Sequence, residues 1–309
     1  MLQFTIKRLL MTIPVLFGIS LIVFTIIQLF PGDPALLMLG EGAPAEDLEI
    51  LRRELGYYES LPVQYLRWLE RAVVLDFGRS LRSGRLVVSE ILDRMPATAE
   101  LAGAAVLLAV AIGVPIGVLS ATRPNSFLDN IAMVGALTGL AMPSFWQGIM
   151  MILIFSVWLG WLPSSGRLGG AEHIVLPALT LGTGAMAGIT RMTRTTMLEV
   201  IGQDYIRTAR AKGLAERVVI YRHALRNAMI PVVTVMGLQL GALLEGAVIT
   251  ETVFAWPGIG RLAVDAIRSH DYPMIQSVVV AFAVSYAVIN LLVDLLYALL
   301  DPRLEVRYG

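Results

Sequence analysis

Cysteine is absent from the 309 residues, which excludes a disulfide framework, a thiolate metal site and a cysteine nucleophile, and leaves no thiol from which to infer a redox compartment. Charge is scarce as well. Only 16% of residues are charged against 56% hydrophobic, and mean hydropathy is +0.72, well outside the mix of a soluble globular domain. Lipid is therefore the main solvent of this chain. Lysine is nearly missing, with 22 Arg against Lys7 and Lys212, and formal charge is zero, so nothing in the total favours a nucleic-acid partner. His173, His223 and His270 are too scattered for a zinc motif such as His-Glu-x-x-His, and each reads as a surface or interface contact. A phosphate-binding Gly-x-x-x-x-Gly-Lys-Ser/Thr is also lacking, because Lys212-Gly213 has neither the preceding Gly-rich turn nor the following hydroxyl. The chain is therefore not expected to hydrolyse ATP or to bind a cofactor or metal, and no catalytic residue is assigned.

What is present is a set of long apolar runs. A helix needs about 20 apolar residues to cross the hydrocarbon core, and six runs near that length occur: Leu9 to Phe30, Thr98 to Ala121, Met133 to Leu159, Ile174 to Ile189, Ala228 to Thr250 and Ile275 to Leu300. The first follows Lys7 and Arg8, is too long for a signal-peptide core and has no small-residue cleavage site, so it reads as a retained anchor. The fourth is short and rich in Gly and Pro, and the third begins ambiguously around Pro143. The fold class is all-α integral membrane with six spans.

Orientation follows from basic residues in short loops. With both termini in the cytoplasm, 13 Arg and Lys fall inside, eight of them between Arg191 and Arg226, and the short outer loops hold only Arg167, Arg261 and Arg268. Trp158, Trp161 and Trp256 then fall near the outer interface, where amphipathic rings prefer the headgroup level. The expected organisation is 1–30, tail and first span; 31–97, an extracytoplasmic segment; 98–300, the core of spans two to six with a cytoplasmic loop at 191–227; and 301–309, a cytoplasmic tail. The segment 31–97 carries eight Arg among eleven acidic residues and is long enough to be exported as a small folded unit. Within it, Pro44 and the acidic residues that follow mark a helix start at Ala45. The segment either caps the pore, docks a soluble partner or stabilises the first two spans.

The loop from Arg191 to Asn227 has eight basic and three acidic residues in 37. Inside it, Asp204 to Leu214 sets Ile206, Ala209, Ala211 and Leu214 among basic residues, with Gly213 as helix end. On spacing alone it reads either as a solvated basic loop touching anionic lipid or as a short exposed helix that another surface approaches.

The run Tyr205 to Gly213, followed by His223-Ala224-Leu225-Arg226-Asn227-Ala228-Met229-Ile230-Pro231, resembles the cytoplasmic signature loop of type I ATP-binding-cassette importer permeases, and more narrowly the dipeptide, oligopeptide, glutathione and nickel permease family in its first-permease branch. Further matches are Phe30-Pro31-Gly32-Asp33-Pro34, Leu159-Gly160-Trp161-Leu162-Pro163, Leu176 to Gly182, Phe254 to Leu262 and Asp271-Tyr272-Pro273. This resemblance covers essentially the whole chain. It implies a coupling helix over Tyr205, Arg207, Thr208, Ala209, Arg210, Ala211, Lys212, Gly213 and Leu214, seated on a cytoplasmic ATPase. It further implies a second homologous permease subunit, two ATPase subunits that carry ATP and Mg, an extracytoplasmic solute-binding protein, and a bacterial inner-membrane location. The broader superfamily pattern has Glu-Ala-Ala before its Gly and a Pro after it. Here Arg207 and Thr208 replace the Glu and first Ala, and Arg226 stands at the Pro, so contacts made in other importers do not transfer. The resemblance also implies that the choice of cargo rests largely with the binding protein.

Ionisable residues inside spans are functional candidates by default. Glu245 and Asp294 qualify: Glu245 lines a translocation path or makes an interhelical bond, and Asp294 reads as an interhelical polar contact. Gln239 and Asn290 are further path candidates. Gly113 to Gly117 and Gly182 to Gly188 read as faces for close helix packing. The competing reading is a proton-coupled secondary transporter with Glu245 or Asp294 as relay, although no internal repeat of matched spans is evident.

Overall fold

The computed structural model describes residues 2–29, 35–36, 42–54, 56–167 and 169–300; the motif from Phe30 to Pro34 lies outside them. In chain order the helices are α1 (Leu2–Leu29), α2 (Ala45–Glu54), α3 (Leu61–Val73), α4 (Val87–Thr122), α5 (Phe127–Ala141), α6 (Ser144–Met151) running on as a π-helical Ile152–Trp158, α7 (Glu172–Ile201) and α8 (Asp204–Ala211). Glu216–Val218 and a π-helical Val219–Ala224 lead into α9 (Leu225–Val253), followed by α10 (Ile259–Arg268) and α11 (Tyr272–Leu300). Among the described residues there is no strand, only an isolated antiparallel bridge between Arg79 and Leu86.

Among the described residues four stretches, Thr5–Gln28, Val87–Thr122, Glu172–Ile201 and Tyr272–Leu295, are each long and apolar enough to cross a membrane, and two bent pairs, each counted as one span, bring the number to six. One bent pair corrects the third expected span: Phe127–Ala141 and Ser144–Trp158 meet at 110° rather than forming one rod. The cause is Pro143, whose ring forces the preceding Met142 out of the helical region, to φ −76° and ψ 129°. The fourth span is also corrected. It is not a short segment ending at Ile189 but the central part of a 30-residue helix that carries Arg191 and Arg194 with it, so the expected loop shrinks to the residues between Ile201 and Leu225.

The chain divides into two compact units. One comprises Ala97–Pro257 with Ile289–Gly309. Its centre is α7, which packs on α5, α6 and α9. Small residues let α4 approach α7 as closely as backbone allows: a methyl group on Gly117 would lie 2.6 Å from Thr193 Cβ and 2.7 Å from the Thr190 carbonyl oxygen, and one on Gly182 would lie 2.8 Å from the Ala105 carbonyl oxygen. Gly113, Gly117 and Gly182 thus serve packing, whereas a methyl group on Gly184 would meet nothing within 4 Å and one on Gly188 only the Gln239 side chain. Gly117→Val is expected to cost about 1–3 kcal/mol by overpacking, read as a lowered thermal midpoint in detergent micelles, whereas Gly135→Ala on α5, with open space around it, should be neutral or slightly stabilising. Core residues Leu101, Ala105, Ala109, Leu181, Ile189 and Val232 fill the interior.

Near the start of this unit, Thr98 donates to buried Glu251 at 2.6 Å and the Trp256 indole N–H donates to the Ala97 carbonyl at 2.8 Å. Trp256 is only 1% exposed, which corrects its expected place in an interfacial belt: its N–H is satisfied by backbone and its ring carries Arg167 at 5.9 Å. Trp158 and Trp161 are exposed, as a belt requires.

The second unit comprises Leu2–Pro96 and Gly258–Val288. Val87, Ile91, Ile259, Leu262, Met274 and Val278 form its core. Asp271 accepts from the Ser80 hydroxyl at 2.5 Å and caps α11 through the Met274 N–H. On α2, the Tyr58 hydroxyl, assisted by Arg53 and Arg52, holds the Glu49 carboxyl below its ordinary pKa.

Candidate functional site

The short helix α8 is two-faced. Ile206 and Ala209, three residues apart and so on one face, are buried against Val118, Ala121, Met197, Val219, Ile220 and Ala224. Tyr205, Arg207, Thr208, Arg210, Ala211, Lys212, Gly213 and Leu214 are exposed. Ala209 therefore seats the helix within its own chain and does not face outward. The helix stops where the sequence reading put its end: Gly213 adopts φ +75°, and its N–H closes on the Arg210 carbonyl at 2.9 Å. Side chains pin α8 to the segment that follows it. Arg210 makes paired bonds to Glu216 at 3.1 and 2.7 Å, which raises its guanidinium pKa further, and Asn227 donates to the Tyr205 hydroxyl at 2.8 Å.

Close by in sequence to the seat of α8 lies a brace that sequence reasoning missed. Asp129, 1% exposed, accepts from Arg194 Nε at 2.6 Å and Nη2 at 2.7 Å. It also accepts from the Ser120 hydroxyl and from the Asn125 N–H at 2.9 Å. The brace joins the end of α4, the start of α5 and the second half of α7. Its one sequence signal is Ser126-x-x-Asp129, in which the Ser126 side chain accepts from the Asp129 N–H at 3.2 Å. Buried Glu251 was missed too, because it lies one residue beyond the end of the expected fifth span.

The path candidates fall in different places. Gln239 lies over Gly188, where a methyl group would come within 2.7 Å of its amide. Both line an open cavity of about 490 Å³ together with Arg191, Met192, Thr195 and Leu238. Asn290 is exposed on α11, and Asp294 is half-buried and engaged by a neighbour. The Glu245 side chain lies outside the described residues. His173 contacts the Ser165 carbonyl at 3.1 Å, and among the described residues no group of His, Asp and Glu is arranged to hold a metal.

Fold and site together define a multi-pass, all-helical membrane protein whose charged inter-span loop is folded and pinned. Residues 113–306 match the family of binding-protein-dependent transport system inner membrane components, and residues 1–102 match the N-terminal part of such membrane components. Full-length relatives include the dipeptide transport system permease protein DppB of Alkalihalophilus pseudofirmus, 44% identical over 99% of this chain and 100% of that protein. DppB of Escherichia coli (strain K12) is 44% identical over 99% of both chains, and the glutathione transport system permease protein GsiC of the same strain is 44% identical over 99% of this chain and 100% of the relative. Among solved structures, an inward-facing MetNI methionine ABC transporter matches with TM-score 0.58 at 20% identity, over 69% of this chain and 96% of that one, a likeness of fold. The chain belongs to the family of binding-protein-dependent transport system inner membrane components, the multi-pass permease subunits of ATP-binding-cassette importers. The proton-coupled alternative gains no support from any of these likenesses.

Proposed function

We infer that this chain forms half of the translocation path of an ATP-driven importer for di- and oligopeptides or related small solutes. A second homologous permease supplies the other half, an extracytoplasmic binding protein delivers the solute, and two cytoplasmic ATPase subunits carry ATP and Mg. The chain itself has no ATPase site and binds no cofactor. Both termini and α8 lie in the cytoplasm, in keeping with the distribution of basic residues. The names of the 44%-identical relatives support the cargo class.

The observation that carries the coupling role is the two-faced burial of α8. A basic loop that merely met lipid headgroups would need no buried seat, no left-handed terminus and no pinned side chains. This helix has all three, as an element that transmits displacement requires. Gln239 and the cavity it lines are assigned to the path.

The test is to purify the tagged chain in mild detergent with whatever accompanies it and identify the companions by mass spectrometry. Two ATPases and a second permease are expected, with ATP hydrolysis confined to preparations that contain them. A lone protein that moves solute into liposomes under a proton gradient would overturn the reading.

A further inference from the structure

Helix α3 packs on α1 at a depth that an exported segment would not reach. The Tyr65 hydroxyl lies 2.8 Å from Ser20 Oγ, and its ring makes edge contacts with Phe17 at 5.9 Å and Phe24 at 5.4 Å. At 1.5 Å rise per residue, Arg8 to Leu29 spans about 31 Å, which matches a hydrocarbon core of about 30 Å. With Arg8 anchored at one interface, Ser20 lies about 18 Å from that side and about 13 Å below the other. Tyr65 is therefore well inside the bilayer, whichever way α1 points.

The rest of α3 fits that depth. Leu61, Tyr65, Leu66, Leu69 and Val73 fall on one side at helical spacing, while Gln64, Arg67, Glu70 and Arg71 fall on the other. Gln64 is bonded to Gln28, near the end of α1, at 3.1 Å, so the polar side points toward that end and the apolar side toward the membrane interior. Of the apolar side only Tyr65 is buried by protein; Leu61 and Leu66 are each 56% exposed and Val73 is 75% exposed. Leu61, Tyr65 and Leu66 border an apolar groove of about 530 Å³ shared with Phe17 and Leu21, and Val73 lies beyond it on the same side of the helix. That groove is continuous with the exposed apolar surface of α1, a lipid-facing span. Helix α2, by contrast, is charged on most of its surface.

We propose that α3 is an interfacial helix, sunk beside α1 into the outer half of the bilayer, with an acyl chain in the α1/α3 groove and Arg67 and Arg71 at headgroup level. Amphipathic helices with Arg on the polar face and aromatic or aliphatic residues on the other adopt this position. Of the segment 31–97, the stretch around Leu61–Val73 then belongs to the membrane. Phospholipid occupies the groove because its walls lie at hydrocarbon depth, where no soluble partner reaches.

Because the chain has no cysteine, each introduced thiol is its single labelling site, and the unsubstituted chain with its co-purifying subunits, treated with the same label, gives the background to subtract. Leu66→Cys, Val73→Cys and Arg67→Cys, each at an exposed position, are labelled with bimane. The full chain, with its co-purifying subunits, is then reconstituted into phosphatidylethanolamine/phosphatidylglycerol liposomes. Doxyl-labelled phospholipid is expected to quench the labels at 66 and 73 at least threefold more than the label at 67, and aqueous iodide is expected to show the reverse. Equal iodide quenching at all three positions would make α3 an exported helix and overturn the proposal. Protection of 66 and 73 from both quenchers would place another subunit on this side of α3 and overturn it equally. Solute uptake by each variant, compared with the unsubstituted chain, verifies that the labelled proteins are folded.

Discussion

Replacing Asp129 with Ala is expected to destabilise the protein by roughly 3–5 kcal/mol, the range for breaking a buried ion pair from one side. The geometry places this pair in that class. Asp129 is enclosed, Arg194 is 23% exposed, and the two are joined by paired bonds at 2.6 and 2.7 Å. Removing the carboxylate strands the guanidinium in a poorly hydrated place and also orphans the Ser120 hydroxyl and the Asn125 N–H. Most of the loss is the cost of the unpaired charge, so Arg194→Met combined with Asp129→Ala should recover a large part of it. Asp129→Asn, which keeps the shape but not the charge, should fall between. Unfolding by SDS titration in mixed micelles reads all four proteins, and a loss below about 1 kcal/mol for Asp129→Ala would place the pair among solvated surface bridges. Uptake should fall with stability, because the brace ties α4, α5 and α7 at the ends that seat α8.

That brace also marks where sequence reading stops. Hydropathy found α1, α4 and α11 readily because their outer surfaces meet lipid, and it shortened α7 because that helix meets protein instead. The buried face of α7 intersperses Ala178, Thr180, Gly182, Ala185, Thr190 and Thr193 among Leu176, Leu181, Ile189 and Met197, and the small and hydroxyl-bearing residues serve close approach rather than apolar transfer. A polarity count therefore ends the span at Ile189 and assigns Arg191 and Arg194 to the loop, where the partner of Arg194, 65 residues away, cannot be seen. The same limit explains Trp256: an aromatic beside a span end is legible, but whether its N–H finds headgroups or the Ala97 carbonyl is decided by packing. Local signals fared better. Gly213 ended α8 as its backbone freedom suggested, and Pro143 bent the third span, although the angle of the bend was not legible. The spacing of Ile206 and Ala209 held the information that they share a face, but only the buried cluster beneath them shows that this face turns inward.

Ala211→Trp combined with Arg207→Glu is expected to abolish ATPase co-purification and reduce solute uptake at least thirtyfold while leaving the fold intact. Both side chains lie on the exposed side of α8, so neither substitution removes an internal contact beyond the long Arg207–Asp204 approach at 3.8 Å. An indole at 211 obstructs close approach of a partner surface, and Glu at 207 reverses one of the positive charges. Losing a central contact of about 2 kcal/mol corresponds to roughly thirtyfold in affinity. Ile206→Asp provides the opposite lesion. Its side chain is fully buried, and an uncompensated carboxylate there would undo the seat of α8. This variant should lower thermal stability along with transport, and ATPase, if retained at all, should hydrolyse ATP without moving solute. Unchanged stability and lost ATPase in the first variant, set against lost stability in the second, would separate the outer face as a docking surface from the inner face as the linkage to α4 and α7. If the outer-face variant keeps its ATPases and full uptake, α8 is not the coupling element.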